Sequence, residues 1–192
     1  MNSSSCSARQ LLVFARNFFK HPKLLGSVIP SSRYLVQNLL SHVDWKRARV
    51  VVEYGPGIGN MTREILKRMR PDAVLVAIEL NPEFADFICR EISDPRLCVV
   101  CGSAGEIRKV LQKLELKHAD YVISGIPYST MPEAVRRRIL AETRSVLQPQ
   151  GSFLVYQFTR TVLPYLQPIF ANVQQGFEPR NILPARLFFC TP

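Results

Sequence analysis

The sequence predicts an α/β fold: a mostly parallel, seven-stranded sheet covered by helices on both faces and finished by a C-terminal antiparallel hairpin. Two observations carry that expectation. From Arg49 onward short β-branched runs alternate with amphipathic segments, and each run is apolar almost throughout, as in strands buried on both faces. The chain is also long enough, at 192 residues with 47% hydrophobic and 21% charged, to bury one sizeable core.

Residues 1–48 read as an N-terminal unit of one or two amphipathic helices, interrupted at Pro22 and Pro30 because proline lacks the helical N–H. Leu11, Phe14, Ala15 and Phe18 recur at helical spacing, with Leu12 and Phe19 beside them. Arg9, Arg16, Lys20 and Lys23 supply the polar side, and no acid precedes Asp44. This suits a cationic helix lying in a membrane interface, and equally a helix that covers the sheet with its phenylalanines inward. The Ser- and Arg-rich start also has the composition of a transit peptide.

Residues 49–192 form the sheet domain. Its strand candidates are residues 49–55, 73–80, 97–103, 119–126 and 152–158. Between them NMTREILKRM, PEFADFICREI, AGEIRKVLQKL and MPEAVRRRILAETRSVL read as helices. In the last, Val135, Ile139, Val146 and Leu147 mark the buried face, and Arg136, Arg137 and Arg138 read as a solvated basic run. A helical segment over 162–173 and two extended runs, FEPRNIL and ARLFFCT, complete the chain, the pair as an edge hairpin.

Composition excludes several classes. No run approaches the 18 or so apolar residues of a membrane-spanning helix. The net charge of +10 calls for an anionic partner, a nucleic acid or an acidic lipid surface. Cys98 and Cys101 spell C-x-x-C, but residues three apart on a strand face opposite ways. They read as packed, reduced thiols of a cytosolic protein, and no metal site is expected.

The first strand ends Glu53-Tyr54-Gly55-Pro56-Gly57-Ile58-Gly59 and opens into a helix. Glycines at such a turn let the backbone approach a ligand. The dinucleotide fingerprint G-x-G-x-x-G fails, because Asn60 and Thr62 stand where its third glycine would fall. A Walker loop is absent as well. Glu79 closes the second strand, where a carboxylate takes ribose hydroxyls, and Glu53 sits where it attracts a cation. A ligand with a ribose, an ammonium and no pyrophosphate fits both, and S-adenosylmethionine (SAM) is such a ligand.

EYGPGIGN, IELN, GSA and GIPY at successive strand ends resemble the class I SAM-dependent methyltransferases, whose Rossmann-like fold matches the pattern above. The resemblance implies that Glu53, Tyr54, Gly55, Pro56, Gly57 and Gly59 line the methionine side of the cofactor. Glu79, Leu80 and Asn81 would hold the ribose side, and Gly102, Ser103 and Ala104 would flank the adenine. Many relatives carry Asp at the position of Ser103, so an uncharged contact is expected there. S-adenosylhomocysteine (SAH) would be the product.

Gly125-Ile126-Pro127-Tyr128 resembles the Asn-Leu/Ile-Pro-Tyr end of adenine amine methyltransferases, without the Asn. The carbonyls of Gly125 and Ile126 are expected to accept from an amine. Pro127 shapes the turn. Tyr128 either walls the site, its ring favouring an ammonium by about 0.5–2 kcal/mol, or simply packs. Glycine at 125 is expected to open room for a flexible primary amine.

GSVIPSS, EYGPGIGN, GIPY and YQFT together resemble the small, soluble bacterial phospholipid N-methyltransferases. That implies stepwise methylation of phosphatidylethanolamine toward phosphatidylcholine by a cytoplasmic, peripherally membrane-bound monomer on the inner face of the membrane. Ser31, Ser32 and Tyr34 would belong to a lid over cofactor and headgroup. Ornithine lipids are the alternative substrate. An rRNA adenine dimethyltransferase is the runner-up, disfavoured because no helical RNA-gripping domain follows the sheet before Pro192.

Overall fold

The computed structural model describes residues 31–192, and the predicted helix over residues 9–23 lies outside them. The described chain begins with α1 (Arg33–Leu40), capped by the Ser32 hydroxyl, which accepts from the Leu35 N–H at 3.2 Å. Its Leu35, Val36, Leu39 and Leu40 are buried. Then follow β1 (Val50–Tyr54), α2 (Asn60–Arg68), β2 (Val74–Glu79), α3 (Pro82–Glu91) and β3 (Leu97–Cys101). After a 3₁₀ turn at Ala104–Glu106 come α4 (Ile107–Lys113) and β4 (Ala119–Ser124). A second 3₁₀ turn at Tyr128–Thr130 leads to α5 (Glu133–Val146), β5 (Leu147–Gln157), the one-turn α6 (Leu163–Leu166), β6 (Asn172–Glu178) and β7 (Ala185–Thr191).

The strands form one sheet in the order β3-β2-β1-β4-β5-β7-β6. The first five are parallel, and β7 runs antiparallel to both β5 and β6. Two apolar layers flank the sheet. One gathers Val52, Tyr54, Val122, Tyr128, Leu140 and Phe153, the other Leu35, Leu39, Val51, Ile65, Leu75 and Leu187. Alternation along β1 sends Val51 to one layer and Val52 to the other. No helix among the described residues is long and apolar enough to cross a membrane.

Four expectations need correction. The penultimate strand is NVQQGFE rather than FEPRNIL; β6 is an edge strand with exposed glutamines, so it carries no apolar run to mark it. Of the helical segment over 162–173 one turn forms, since Asn172 already pairs with Thr191. On α5 Val135 is 44% exposed while Arg136 is buried. Position 136, not 135, falls in line with Ile139, Leu140, Thr143 and Val146 on the inward face. The strand holding Cys98 and Cys101 is the other sheet edge, so these free thiols are half-buried and exposed respectively rather than packed.

Candidate active site

The parallel register lines up the strand ends: Tyr54 beside Ile78 and Ser124, Glu79 beside Cys101, and Ser124 beside Val155. The sheet order reverses between β1 and β4, and a crevice at that switch point receives ligands in open α/β sheets. Both candidate half-sites converge there.

The glycine turn after β1 forms the first half. Gly55, Gly57 and Gly59 have φ of +68°, +56° and +81°, the left-handed region that favours glycine. A Cβ on Gly55 would stand 2.6 Å from Ile126 Cγ2, so this turn and the GIPY turn are packed together. Pro56 contributes its carbonyl, which accepts from Gly59 N–H at 2.9 Å. Gly59 caps α2 without a side chain, leaving its first N–H groups facing the crevice end of the helix. Tyr54 departs from expectation. Its side chain is 1% exposed, and its hydroxyl donates to Thr143 Oγ1 at 3.0 Å, whose own proton goes to the Ile139 carbonyl. Only its backbone belongs to the crevice.

Glu53 is buried, and one carboxyl oxygen accepts from Thr62 Oγ1 at 2.7 Å. Burial pushes its carboxyl up to about 8, the nearby Glu79 charge adds to this, and the Thr62 bond opposes it. Its second oxygen accepts no hydrogen bond from the described residues. Glu79 serves the turn itself: its carboxylate accepts from Gly57 N–H at 3.0 Å and Asn81 N–H at 2.9 Å. Burial raises its pKa, against those backbone donors. A carboxylate offers about four lone-pair sites, so acceptor capacity is left for hydroxyls. Leu80 beside it is 75% exposed, while Asn81 caps α3 by accepting from Glu83 N–H at 2.9 Å.

At the end of β3, Gly102 N–H donates to the Glu79 carbonyl at 2.8 Å. The Ser103 hydroxyl caps the following 3₁₀ turn by accepting from Gly105 N–H at 3.2 Å, and Ala104 packs into the core. Ser103 therefore has its hydroxyl proton and one lone pair for a base edge. A turn with glycine at every second position, a carboxyl oxygen with no donor among the described residues, a ribose-side carboxylate and an exposed Leu80 fit SAM. When bound, it supplies an electrophilic methyl on a sulfonium.

The second half-site differs from its sequence reading. Gly125 opens no empty room. A Cβ there would stand 2.6 Å from Tyr156 Cε1 and closer still to Tyr156 Oη. The tyrosine from the end of β5 fills the place that an asparagine side chain at 125 would need. Ser31 Oγ donates to Tyr156 Oη at 3.1 Å, leaving the phenol one lone pair and its own proton. Burial raises the pKa of this hydroxyl, the Ser31 bond opposes, and the Glu53 charge adds to the rise. Tyr156 thus stays neutral, between Gly125 and Glu53.

Ile126 and Tyr128 also need correction. The Ile126 carbonyl already accepts from Tyr128 N–H at 3.0 Å and Gln157 Nε2 at 2.8 Å, which uses both its lone pairs and leaves none for an amine. Pro127 likewise lends its carbonyl to Thr130, through N–H at 3.2 Å and Oγ1 at 3.1 Å. Tyr128 is fully buried, shares a hydrogen bond with Ser124 Oγ at 3.0 Å and meets Phe153 edge to face at 6.5 Å. Burial drives its hydroxyl pKa upward. It packs, and no ammonium reaches its ring.

Arg136 braces the turn from behind. It is buried, donates from Nη1 to the Tyr128 carbonyl at 2.9 Å, and lies 3.7 Å over the Tyr165 ring. Arg137 and Arg138 are exposed, one paired with Glu133 and the other donating to the Gly105 carbonyl. Ser32 N–H donates to Asn181 Oδ1 at 2.8 Å. The contacts of Ser31 and Ser32 are therefore with the Tyr156 end of the crevice rather than with the glycine turn. Tyr156, Gln157, Thr62 and Arg136 were not singled out as site residues by their motifs. The signal for Tyr156 was the register itself, since pairing the ends of β4 and β5 sets it beside Gly125.

A family model described as a methyltransferase domain matches residues 51–151. The chain belongs to that family, the class I SAM-dependent methyltransferases, and SAM is its cofactor. More particularly, it is 32% identical over 184 residues to the ornithine lipid N-methyltransferase of Singulisphaera acidiphila, spanning 95% of this chain and 96% of that protein. It is 26% identical over 172 residues to the dimethyladenosine transferase of Schizosaccharomyces pombe, covering 86% of this chain but 53% of that one. Among solved structures, precorrin-6y C5,15-methyltransferase of Geobacter metallireducens superposes with a TM-score of 0.69 at 15% identity, over 85% of this chain and 92% of that one. Human methyltransferase-like protein 13, solved with SAH, does so at 0.60 and 15%, over 90% and 81%. At that identity these two establish the fold.

Proposed function

We propose that this protein transfers methyl groups from SAM to the primary amine of an amine-headed membrane lipid, at an acidic membrane surface. The observation that carries the reading is the Gly125–Tyr156 pair. An adenine site of the Asn-Leu/Ile-Pro-Tyr kind needs a carboxamide where Tyr156 now lies, so the planar clamp for a base has no place. What remains is a hydroxyl and a backbone carbonyl at the strand end. Among the described residues no group donates to the Gly125 carbonyl. These two acceptors suit a tetrahedral amine: each takes one N–H, and the lone pair is left to point at the methyl for in-line displacement. Burial favours the neutral amine, the reactive form.

The near full-length similarity to an ornithine lipid N-methyltransferase supports ornithine lipid as the first substrate to try. Phosphatidylethanolamine, whose headgroup also joins a primary amine to an anionic group, is the second. The excess of basic residues, +10 overall, supports an anionic bilayer as partner and a peripheral location on its cytoplasmic side. The protein should act as a monomer. The test is incubation of purified protein with methyl-labelled SAM and, separately, ornithine lipid, phosphatidylethanolamine and small-subunit rRNA. Label is expected in the lipid fraction, in mono- to trimethylated headgroups. Label confined to RNA would overturn the reading.

A further inference from the structure

We infer that the turn between β6 and β7, residues 179–184, is an inserting tip that seats the crevice on an acidic lipid bilayer; this rests on the lipid reading above. The turn ends in Ile182-Leu183-Pro184, with Ile182 71% and Leu183 44% exposed and Phe177 at the adjoining end of β6 47% exposed. Apart from Leu80 and Val135, these are the large apolar side chains that the described residues leave exposed, and all three lie on one hairpin.

The tip is not loose chain. Asn181 is buried, donating to the Leu183 carbonyl at 2.9 Å and accepting from Ser32 N–H at 2.8 Å. Glu178, 1% exposed, accepts from the backbone and side chain of Arg180 and from Asn38 Nδ2 at 3.2 Å. The polar groups of this turn are thus spent inward on holding its shape, while its aliphatic groups point outward. A turn that served only to join two strands has no need of that inversion, since exposed loop tips are ordinarily polar.

The flanks are cationic. Arg180 and Arg33 lie 4.3 Å and 4.8 Å from the Tyr34 ring, Arg33 Nη2 donates to Tyr34 Oη at 2.7 Å, and Arg186 lies 4.5 Å over Phe177. Glu178 is the acid among them, and it is buried beneath Arg180. Aliphatic residues in the centre, ringed by arginines and aromatics, match an acidic bilayer: acyl region below, anionic headgroups around. A nucleic acid would answer the arginines but not the aliphatic tip. The link to the crevice is direct. Asn181 holds Ser32, and the adjacent Ser31 holds Tyr156 over Gly125, so a tip set into the bilayer brings the acceptor half-site to headgroup level.

The experiment uses the full chain and vesicles of phosphatidylglycerol and phosphatidylcholine that carry ornithine lipid as the amine substrate. The double substitution Ile182→Asp and Leu183→Asp should weaken vesicle co-sedimentation at least about tenfold and lower methylation of vesicle-borne lipid in parallel. SAH affinity and methylation of the same lipid in detergent micelles should stay within about twofold, which also reports that the variant is folded. Separately, Ile182→Trp should give a blue-shifted emission on these vesicles, quenched by brominated acyl chains. Unchanged sedimentation of the Asp variant, or a tryptophan at 182 that stays unshifted and unquenched, overturns the inference and assigns the tip to residues 1–30 or to a second copy. A wild-type protein that methylates no amine lipid in vesicles or micelles sinks the functional reading instead. The insertion measurement still judges the tip on its own.

Discussion

The two halves of the crevice are built by different means. On the cofactor side, the backbone does the shaping: three glycines in left-handed conformation, a helix start, and two glutamates within one or two residues of their strand ends. On the acceptor side, side chains do it. Tyr156 covers Gly125, Ser31 tethers Tyr156 from 125 residues away, and Asn181 tethers Ser32 from 149 residues away. A backbone-built pocket tolerates variation around it but not a Cβ within it. A side-chain-built pocket changes chemistry through one residue, and that residue is visible only once the strands are in register.

Breaking the first half should have the largest effect. Gly55→Val forces a β-branched residue to a φ of +68° and drives its Cβ into Ile126. Left-handed strain alone is about 1–2 kcal/mol, and the clash adds a further 1–3 kcal/mol. SAH binding by calorimetry should fall by about 100-fold or more, and methylation with it. A variant that binds SAH normally would mean that the turn is merely structural.

The second half should break without disturbing the first. Tyr156→Phe keeps the ring over Gly125 and removes one hydrogen-bonding group, so kcat should fall by about 10- to 100-fold with the dissociation constant of SAH unchanged. Gly125→Asn alone should be nearly inactive, because its side chain and Tyr156 claim one space. Adding Tyr156→Ala to it should restore a folded, SAH-binding protein. Full activity in the phenylalanine variant would remove the hydroxyl from the reaction.

Arg136→Met tests whether the acceptor turn needs its brace. The methionine keeps bulk against Tyr165 but removes the shorter, charged donor of the Tyr128 carbonyl and leaves it only the Met131 N–H at 3.4 Å. A loss of about 1–3 kcal/mol is expected, read as a lower denaturant midpoint, and methylation should suffer more than SAH binding.

A pH measurement sharpens the comparison from the cofactor side. Glu53 is raised from 4.5 to about 8 in the folded protein, so the native state holds a proton there that the unfolded chain has released. Its contribution to stability is fully present below about 4.5 and is lost as pH rises through about 8. Without cofactor, the Tm of the wild type relative to Glu53→Gln should therefore decline between about pH 5.5 and 8.5. SAH, carrying an ammonium toward that carboxylate, should flatten the decline, and its affinity should rise with pH over the same window. An equal slope with and without SAH would place the ammonium elsewhere.

How much was legible follows the same division. The strands of the parallel layer, the glycine turn and both carboxylates were readable because each is encoded by consecutive residues: apolar runs, G-x-G-x-G, an acid at a strand end. For Tyr128 two roles stayed open, because Pro-Tyr marks a turn but says nothing of which way the ring goes; the apolar layer around Phe153 takes it inward. Arg136 was misread because charge was allowed to outweigh helical phase. Its spacing to Ile139, Leu140 and Thr143 already put it on the inward face. β6 went unseen because an edge strand need not be apolar.

By itself, then, the sequence determined the sheet, the cofactor and the class of reaction. All three are signalled by short runs of consecutive residues, whose types dictate the local geometry. Only the tertiary structure decided what stands at the acceptor end and what the β6–β7 tip exposes. Those depend on which distant side chains the sheet register and the packing of α1 bring together. A missing asparagine at 125 turns out to be one member of a pair, because the space its side chain would take is filled by Tyr156 from the neighbouring strand.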